Sequence, residues 1–172
     1  SNNKNVVAIL VEPIIGEGGV SVPRANYLHE LRRICDEQQW LLMLDEVQTG
    51  IGRTGRFWAV EHWGVEPDMI CMAKALSGGF VPVGGVAMTQ RVMDAVFNRM
   101  DRAVVHGSTF SKNNMAMAAG LAALKVIEEE RLVENAASTG NYLMNRLREE
   151  FSDLSAVRQI RGRGLMIGIE LD

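Results

Sequence analysis

Cysteine is nearly absent from this chain. Its 172 residues hold two, Cys35 and Cys71, both in apolar settings, with no CxxC pair and no histidine at ligand spacing. Neither a disulfide framework nor a metal site is supported, and the pair reads as buried free thiols in a reducing compartment, with the cytoplasm as the default. Charge of one sign is also lacking: 18 Lys and Arg against 21 Asp and Glu leave a net charge of -3, with the cations scattered. A basic footprint for nucleic acid is therefore missing. No apolar run approaches a membrane span and no signal peptide is visible. No internal repeat or low-complexity segment occurs, and apolar content and charge near the globular average set aside disordered, collagen-like and coiled-coil classes. The length suits one ordinary domain with a real core. The chain opens Ser1-Asn2-Asn3-Lys4-Asn5 with no initiator Met and enters a core strand at once, which reads as a segment of something longer.

What is present is an alternation of apolar runs and helical patterns. Residues 6–11 form a continuous β-branched and apolar run, as expected of a strand covered on both faces. Pro23 then opens a helical segment in which Tyr27, Leu28, Leu31 and Ile34 share one face. A second strand spans residues 41–44, so the unit is βαβ, parallel and right-handed. Residues 46–56 are too polar and glycine-rich for regular structure, and residues 57–63 read as a short helix ended by Gly64. Strands are predicted over 68–73 and 83–88, and helices over 90–100, 114–129 and 131–151. Two last strands, 157–160 and 165–171, flank a turn at Arg161-Gly162-Arg163-Gly164. The fold class is α/β, with a change of unit near residue 130: part of a mostly parallel sheet with flanking helices over 1–130, then the start of a smaller α+β unit over 131–172.

In open α/β sheets, ligands bind outside the carboxyl ends of the strands. Three predicted strand ends carry ionisable residues, Glu12, Asp45 and Lys74, each leading into an irregular loop. Each has a structural alternative: a strand-end carboxylate can cap a neighbouring helix, and a lone lysine can snorkel to solvent. A lysine at the end of a buried run otherwise needs a buried partner or a chemical use, since desolvating an ammonium is costly. All three together favour a site. The remaining residues have ordinary readings: Arg53 and Arg56 order the loop or face an interface, Arg161 and Arg163 are surface or interdomain cations, and His29 and His62 sit on helices without special roles.

Four segments carry a resemblance: Glu12-Pro13-Ile14-Ile15-Gly16-Glu17-Gly18-Gly19, Asp45-Glu46-Val47-Gln48-Thr49-Gly50-Ile51-Gly52-Arg53-Thr54-Gly55, Ala73-Lys74-Ala75-Leu76-Ser77-Gly78-Gly79 and His106-Gly107-Ser108-Thr109-Phe110. In this order, and with Arg161-Gly162-Arg163-Gly164-Leu165-Met166 near the end, the chain resembles the class III aminotransferases over essentially its whole length. These are fold type I transferases dependent on pyridoxal 5'-phosphate, and they include ornithine, acetylornithine and 4-aminobutyrate aminotransferases. The resemblance implies that Lys74 carries the cofactor as a Schiff base. Only a neutral amine can do this, which apolar surroundings would favour. The freed amine would then move the substrate α-proton. Asp45 would pair with the pyridinium nitrogen and keep it protonated, making the ring a better electron sink. Gln48 would bond the phenolic oxygen. Thr109, with Ser108 beside it, would hold the phosphate of the neighbouring subunit, so that a homodimer shares its active sites. Glu17 would lie on the substrate side, and Glu12 there or in a structural role bonding loop amides.

The implied reaction is transamination from an amino acid or ω-amine donor to an oxo-acid acceptor. The same family also houses an aminomutase, a decarboxylase, racemases and phospho-lyases, and a piece of such an enzyme can be inactive alone. After Phe110 the chain departs from the commonest pattern, which runs two glycines, an asparagine and a proline. Here Ser111-Lys112-Asn113-Asn114 follows, which argues against assignment to the ornithine or acetylornithine subgroup.

Overall fold

A computed structural model describes residues 5–105 and 107–172. His106, the first residue of the 106–110 segment, and residues 1–4 lie outside the described residues. Four strands form one sheet in the order β1-β2-β3-β4: β1 (Ala8–Val11), β2 (Leu41–Asp45), β3 (Met69–Met72) and β4 (Gly85–Met88). β1, β2 and β3 run parallel, whereas β4 returns antiparallel along β3. Helix α1 (Tyr27–Gln38) is the crossover from β1 to β2. It buries Leu28 and Cys35 against a core that includes Ile14, Leu42, Leu44, Val60 and Trp63. Leu42 and Leu44 point to one face of β2 with period two, so one face of the sheet is sealed by the strand's own alternation.

The helix begins at Tyr27 rather than at Pro23. The segment before it is held by the Tyr27 N–H donating to the Arg24 carbonyl at 3.0 Å, a turn that precedes the helix proper. The expected helix at 57–63 is a single 3-10 turn, Ala59–His62, too short for an α-helical ladder. Helix α2 (Gln90–Val96) stops earlier than its periodicity suggested, and a 3-10 turn, Met100–Arg102, follows it. Helices α3 (Asn114–Glu129) and α4 (Leu132–Glu150) match the predicted pair closely.

The final hairpin differs more. β5 (Val157–Arg163) runs through the predicted turn and pairs antiparallel with β6 (Met166–Leu171), so Gly164 and Leu165 make the turn. Glycine makes this possible. Gly162 sits in the strand at φ +148, where a Cβ would fall 2.1 Å from the Met166 carbonyl oxygen, and Gly164 turns the chain at φ +55. The same hairpin packs on the loop after β2, since a Cβ at Gly164 would stand 2.3 Å from the Thr54 carbonyl carbon. Leu165 N–H donates to the Arg53 carbonyl at 3.1 Å, completing that contact.

Asp68, immediately before β3, ties β2 to two helices. It accepts from Arg32 at 2.8 Å, from Arg91 at 2.6 Å and from the buried Leu42 N–H at 2.9 Å. Burial alone would raise the Asp68 carboxyl, but these donors outweigh it and hold the group below the usual range. Cys35 and Cys71 are free, Cys35 buried and Cys71 only half-buried, and burial pushes both thiols up. No helix among the described residues is long and apolar enough to cross a membrane.

Candidate active site

Parallel pairing brings three strand ends to one edge of the sheet. Val11 is in register with Leu44 and Asp45 with Cys71, so Glu12, Asp45 and the chain entering Lys74 leave the sheet side by side. Asp45 is half-buried, and its Oδ1 accepts the Val47 N–H at 3.0 Å. Its Oδ2 takes no hydrogen bond from the described residues, leaving a carboxylate oxygen available at the strand end.

Lys74 opens a 3-10 turn, Lys74–Ser77, with φ +45, an uncommon conformation for a residue with a side chain. Backbone strain of this kind persists only where the surroundings impose it. Here they do. Ser77 is buried and its Oγ donates to the Val81 carbonyl at 2.5 Å, Gly78 caps the turn at φ +65, and α3 packs behind it with Gly120 against the Leu76 carbonyl. Lys74 is exposed in this turn and lines a cleft of about 910 Å³. The apolar enclosure expected of this lysine is thus not supplied by the described residues. Gln48, Val20, Gly79 and Met166 line the same cleft.

Glu12 does what its structural alternative requires, accepting the Gly16 N–H at 2.9 Å. Glu17 is exposed on the loop that Glu12 braces. Ser108 and Thr109 are exposed in a separate turn, and the fold does not bring them to the Lys74 cleft. That turn is closed by Ser111, whose Oγ donates to the Ser108 carbonyl at 2.8 Å. Lys112 follows at φ +57, a conformation suited to the glycine it replaces in the commoner pattern. Asn113 caps α3 by accepting the Ala116 N–H at 2.9 Å, and Asn114 stands at the first helical position, where proline is favoured. The departure after Phe110 therefore keeps the asparagine cap and loses only conformational preference.

One residue of the site was missed. Glu46, adjacent to Asp45, is fully buried. Its Oε2 accepts from Thr49 Oγ1 at 2.5 Å and from the Ala59 N–H at 3.0 Å, while Oε1 accepts the Val60 N–H at 2.8 Å. Burial pushes its carboxyl up, against the pull of these three donors. The carboxylate thus clamps the Asp45–Gln48 turn to the start of the 3-10 turn at Ala59 (a nearby anchor for a loop with little regular structure). The only sequence signal was an acidic pair followed by a threonine at i+3. His62 likewise proves more than an ordinary helical histidine: its Nε2 lies 3.1 Å from the Thr54 carbonyl oxygen and 3.2 Å from Thr54 Oγ1, and burial pushes it down. Arg163 stacks over the Trp63 ring at 5.2 Å. Among the described residues, no cluster of His, Cys, Asp and Glu could hold a metal ion.

An amine and an unpaired carboxylate oxygen at neighbouring strand ends, beside an open cleft, suit a ring that needs both a covalent anchor and a charged partner. The family profile described as aminotransferase class-III matches residues 1–172. The chain is 46% identical over 171 residues to an acetylornithine aminotransferase of Nitrosomonas europaea, covering 99% of this chain and 42% of that protein. It is 46% identical over 166 residues to an ornithine aminotransferase of Bordetella pertussis, covering 96% and 38%. Despite the change at Ser111 and Lys112, these similar relatives carry ornithine and acetylornithine names. Among solved structures, an ornithine aminotransferase of Toxoplasma gondii, described with partial occupancy of PLP at its active site, superposes with a TM-score of 0.91 at 41% identity, covering 98% of this chain and 38% of that one. The chain thus spans about two-fifths of the length of the relatives it matches. With its parallel strand edge and its four motifs in order, the chain belongs to the class III aminotransferases and has the fold of the type I pyridoxal-phosphate-dependent enzymes.

Proposed function

We propose that the whole protein is a transaminase that uses pyridoxal 5'-phosphate to move an amino group from an amino acid or ω-amine donor to an oxo-acid acceptor. The observation that carries this reading is Lys74: a strand-end amine, held in a strained turn, opening onto a cleft beside the strand that ends in Asp45. When bound, the cofactor supplies an electron sink for charge developing on the substrate α-carbon. Lys74 would hold the cofactor, and its amine would move the proton of the substrate α-carbon. Asp45 would offer its second oxygen to the ring nitrogen and keep a proton there, its Oδ1 being engaged by the Val47 N–H. Gln48 faces the cleft and orients the ring edge.

Ser108 and Thr109 lie away from this cleft, which fits a role toward the phosphate in a partner subunit and hence a homodimer with shared sites. Glu17 stands on the substrate side, and Glu12 braces its loop. Residues 1–130 belong to the larger cofactor-binding domain, and residues 131–172 begin a smaller one, a division supported by the separate β5–β6 sheet. The names of the relatives point to L-ornithine and N-acetylornithine as the first donors to try. Free thiols suit a reducing compartment, and the proposal places the enzyme in the cytoplasm.

The test is borohydride reduction of the full-length protein with the cofactor, followed by peptide mapping. A phosphopyridoxyl group on Lys74, absent in Lys74→Ala, is the expected result. A folded full-length protein that takes no label at Lys74 would sink the reading.

A further inference from the structure

Gln48 lines the Lys74 cleft, and its exposed carboxamide takes no hydrogen-bond partner among the described residues. Its backbone is secured: the Gly50 N–H donates to the Glu46 carbonyl at 2.9 Å, and the buried Glu46 carboxylate takes the Thr49 hydroxyl. The side chain needs a different restraint, because an unheld glutamine turns through several rotamers and aims its donor poorly.

What the carboxamide meets is a glycine. A Cβ at Gly16 would fall 2.0 Å from Gln48 Oε1, 2.6 Å from Cδ and 3.3 Å from Nε2. The carboxamide therefore lies where the side chain of any other residue at 16 would begin. Backbone conformation does not explain this glycine, since Gly16 is not among the residues at positive φ. Backbone crowding does not explain it either, since the nearest atoms to such a Cβ all belong to Gln48. Gly162 and Gly164 differ on both counts, with positive φ and a Cβ that would strike main chain. Gly16 is bare to make room for Gln48.

Gly16 is also held from both sides. It is buried, its N–H donates to Glu12 Oε2 at 2.9 Å, and its carbonyl accepts the Val20 N–H at 3.1 Å. Next to it, Ile15 and Ser21 exchange both backbone hydrogen bonds, at 3.1 and 2.9 Å. Glu12 follows β1 directly, and Val11 of β1 is in register with Leu44 of β2. The brace is thus anchored on the strand beside the one that leads to Gln48.

We propose that Glu12 and Gly16 are positioning residues for Gln48: the Glu12 carboxylate holds the Gly16 backbone, and the bare Gly16 Cα sets the orientation from which the carboxamide donates to the phenolic oxygen of the bound cofactor. The inference rests on the transaminase reading and deepens it. It gives the carboxylate after the first strand a duty toward the cofactor ring, two contacts removed. A donor to the phenolic oxygen favours its anionic form, so the bound cofactor releases a proton more readily. With the carboxamide turned away, the proton is held more tightly.

The experiment titrates the absorbance of the full-length, cofactor-loaded protein with pH and with no amino donor present, so that substrate contacts do not enter. Gln48→Met is close in length and lacks the donor. It should raise the pH midpoint of the absorbance change by about one unit, the scale of one charge-assisted hydrogen bond. Gly16→Ala should raise it comparably, because the added methyl meets only the end of a flexible side chain and the carboxamide yields before the fold does. Glu12→Ala should also raise it, whereas Glu12→Gln, which keeps an oxygen for the Gly16 N–H, should stay near the parent. Adding Gly16→Ala to Gln48→Met should change nothing more. A midpoint that Gly16→Ala or Gln48→Met leaves in place would overturn the proposal. So would equal shifts in Glu12→Gln and Glu12→Ala, or additive shifts from Gly16→Ala and Gln48→Met. A parent protein that takes no label at Lys74 would instead overturn the transaminase reading beneath it.

Discussion

Replacing Glu46 by glutamine probes how the Asp45–Gln48 turn is held. The carboxylate faces three donors: Thr49 Oγ1, the Ala59 N–H and the Val60 N–H. A glutamine offers one acceptor oxygen and an amino group. The Thr49 hydroxyl can rotate to accept from that amino group, but one of the two backbone N–H groups is then left facing another donor. A buried, unsatisfied backbone donor costs about 1–3 kcal/mol, and Glu46→Ala, which strands all three, should cost about 3–5 kcal/mol. The pH dependence carries its own sign. Because burial raises the folded-state carboxyl above its ordinary value of 4.5, the unfolded chain ionises first as pH rises. Over that interval the folded state binds more protons, so the parent loses stability with rising pH until the buried carboxyl ionises too. Glutamine cannot titrate, so the deficit of Glu46→Gln should be largest at the acid end and shrink toward neutrality. Urea unfolding of the cofactor-loaded, full-length protein between about pH 5 and 8 measures this. A Glu46→Gln protein within about 0.5 kcal/mol of the parent throughout, or a deficit that grows with pH, would refute the reasoning.

Other outcomes follow from the same structure. Asp45→Asn retains an oxygen for the Val47 N–H but loses the charge, so stability should hold while kcat falls on the order of a hundred-fold in steady-state assays. Asp68→Ala strands the buried Leu42 N–H and removes one of the two carboxylate partners of Arg32, and should cost about 3 kcal/mol in urea unfolding. In the parent, the Asp68 contribution is present above its ordinary value of 3.8 and should be lost as pH falls through the lower folded value. Lys112→Gly relieves a left-handed residue and should raise stability by roughly 0.5–1 kcal/mol, read as a higher melting temperature. Gly164→Ala drives a Cβ into the Thr54 backbone and should cost about 3 kcal/mol or more, measured as a lost or strongly lowered unfolding transition.

Much of the scaffold was legible along the chain because it rests on local patterns. The apolar runs ending in Glu12, Asp45 and Lys74 mark parallel strands, and parallel pairing alone brings their ends to one edge. The helical periodicity of residues 114–129 and 131–151 survives almost unchanged, since each helix buries a stripe fixed by its own spacing. Boundaries were less legible where a few backbone contacts decide: the 3-10 turn at Ala59–His62, the early stop of α2 at Val96, and the hairpin that runs on through Gly162.

By itself, the sequence determined the chemistry-bearing residue types and their places at strand ends, because composition and two-residue alternation act locally. Only the tertiary structure decided what surrounds them. It placed Lys74 in a 3-10 turn at a positive φ, on the wall of an open cleft, a backbone conformation that no local pattern announces. It made Glu46 a clamp, because its donors come from residues 49, 59 and 60, and no periodicity announces a hydrogen bond between irregular loops. It also joined Arg161 to Gly19, a contact that exists only once the chain has folded the last hairpin back onto the first loop.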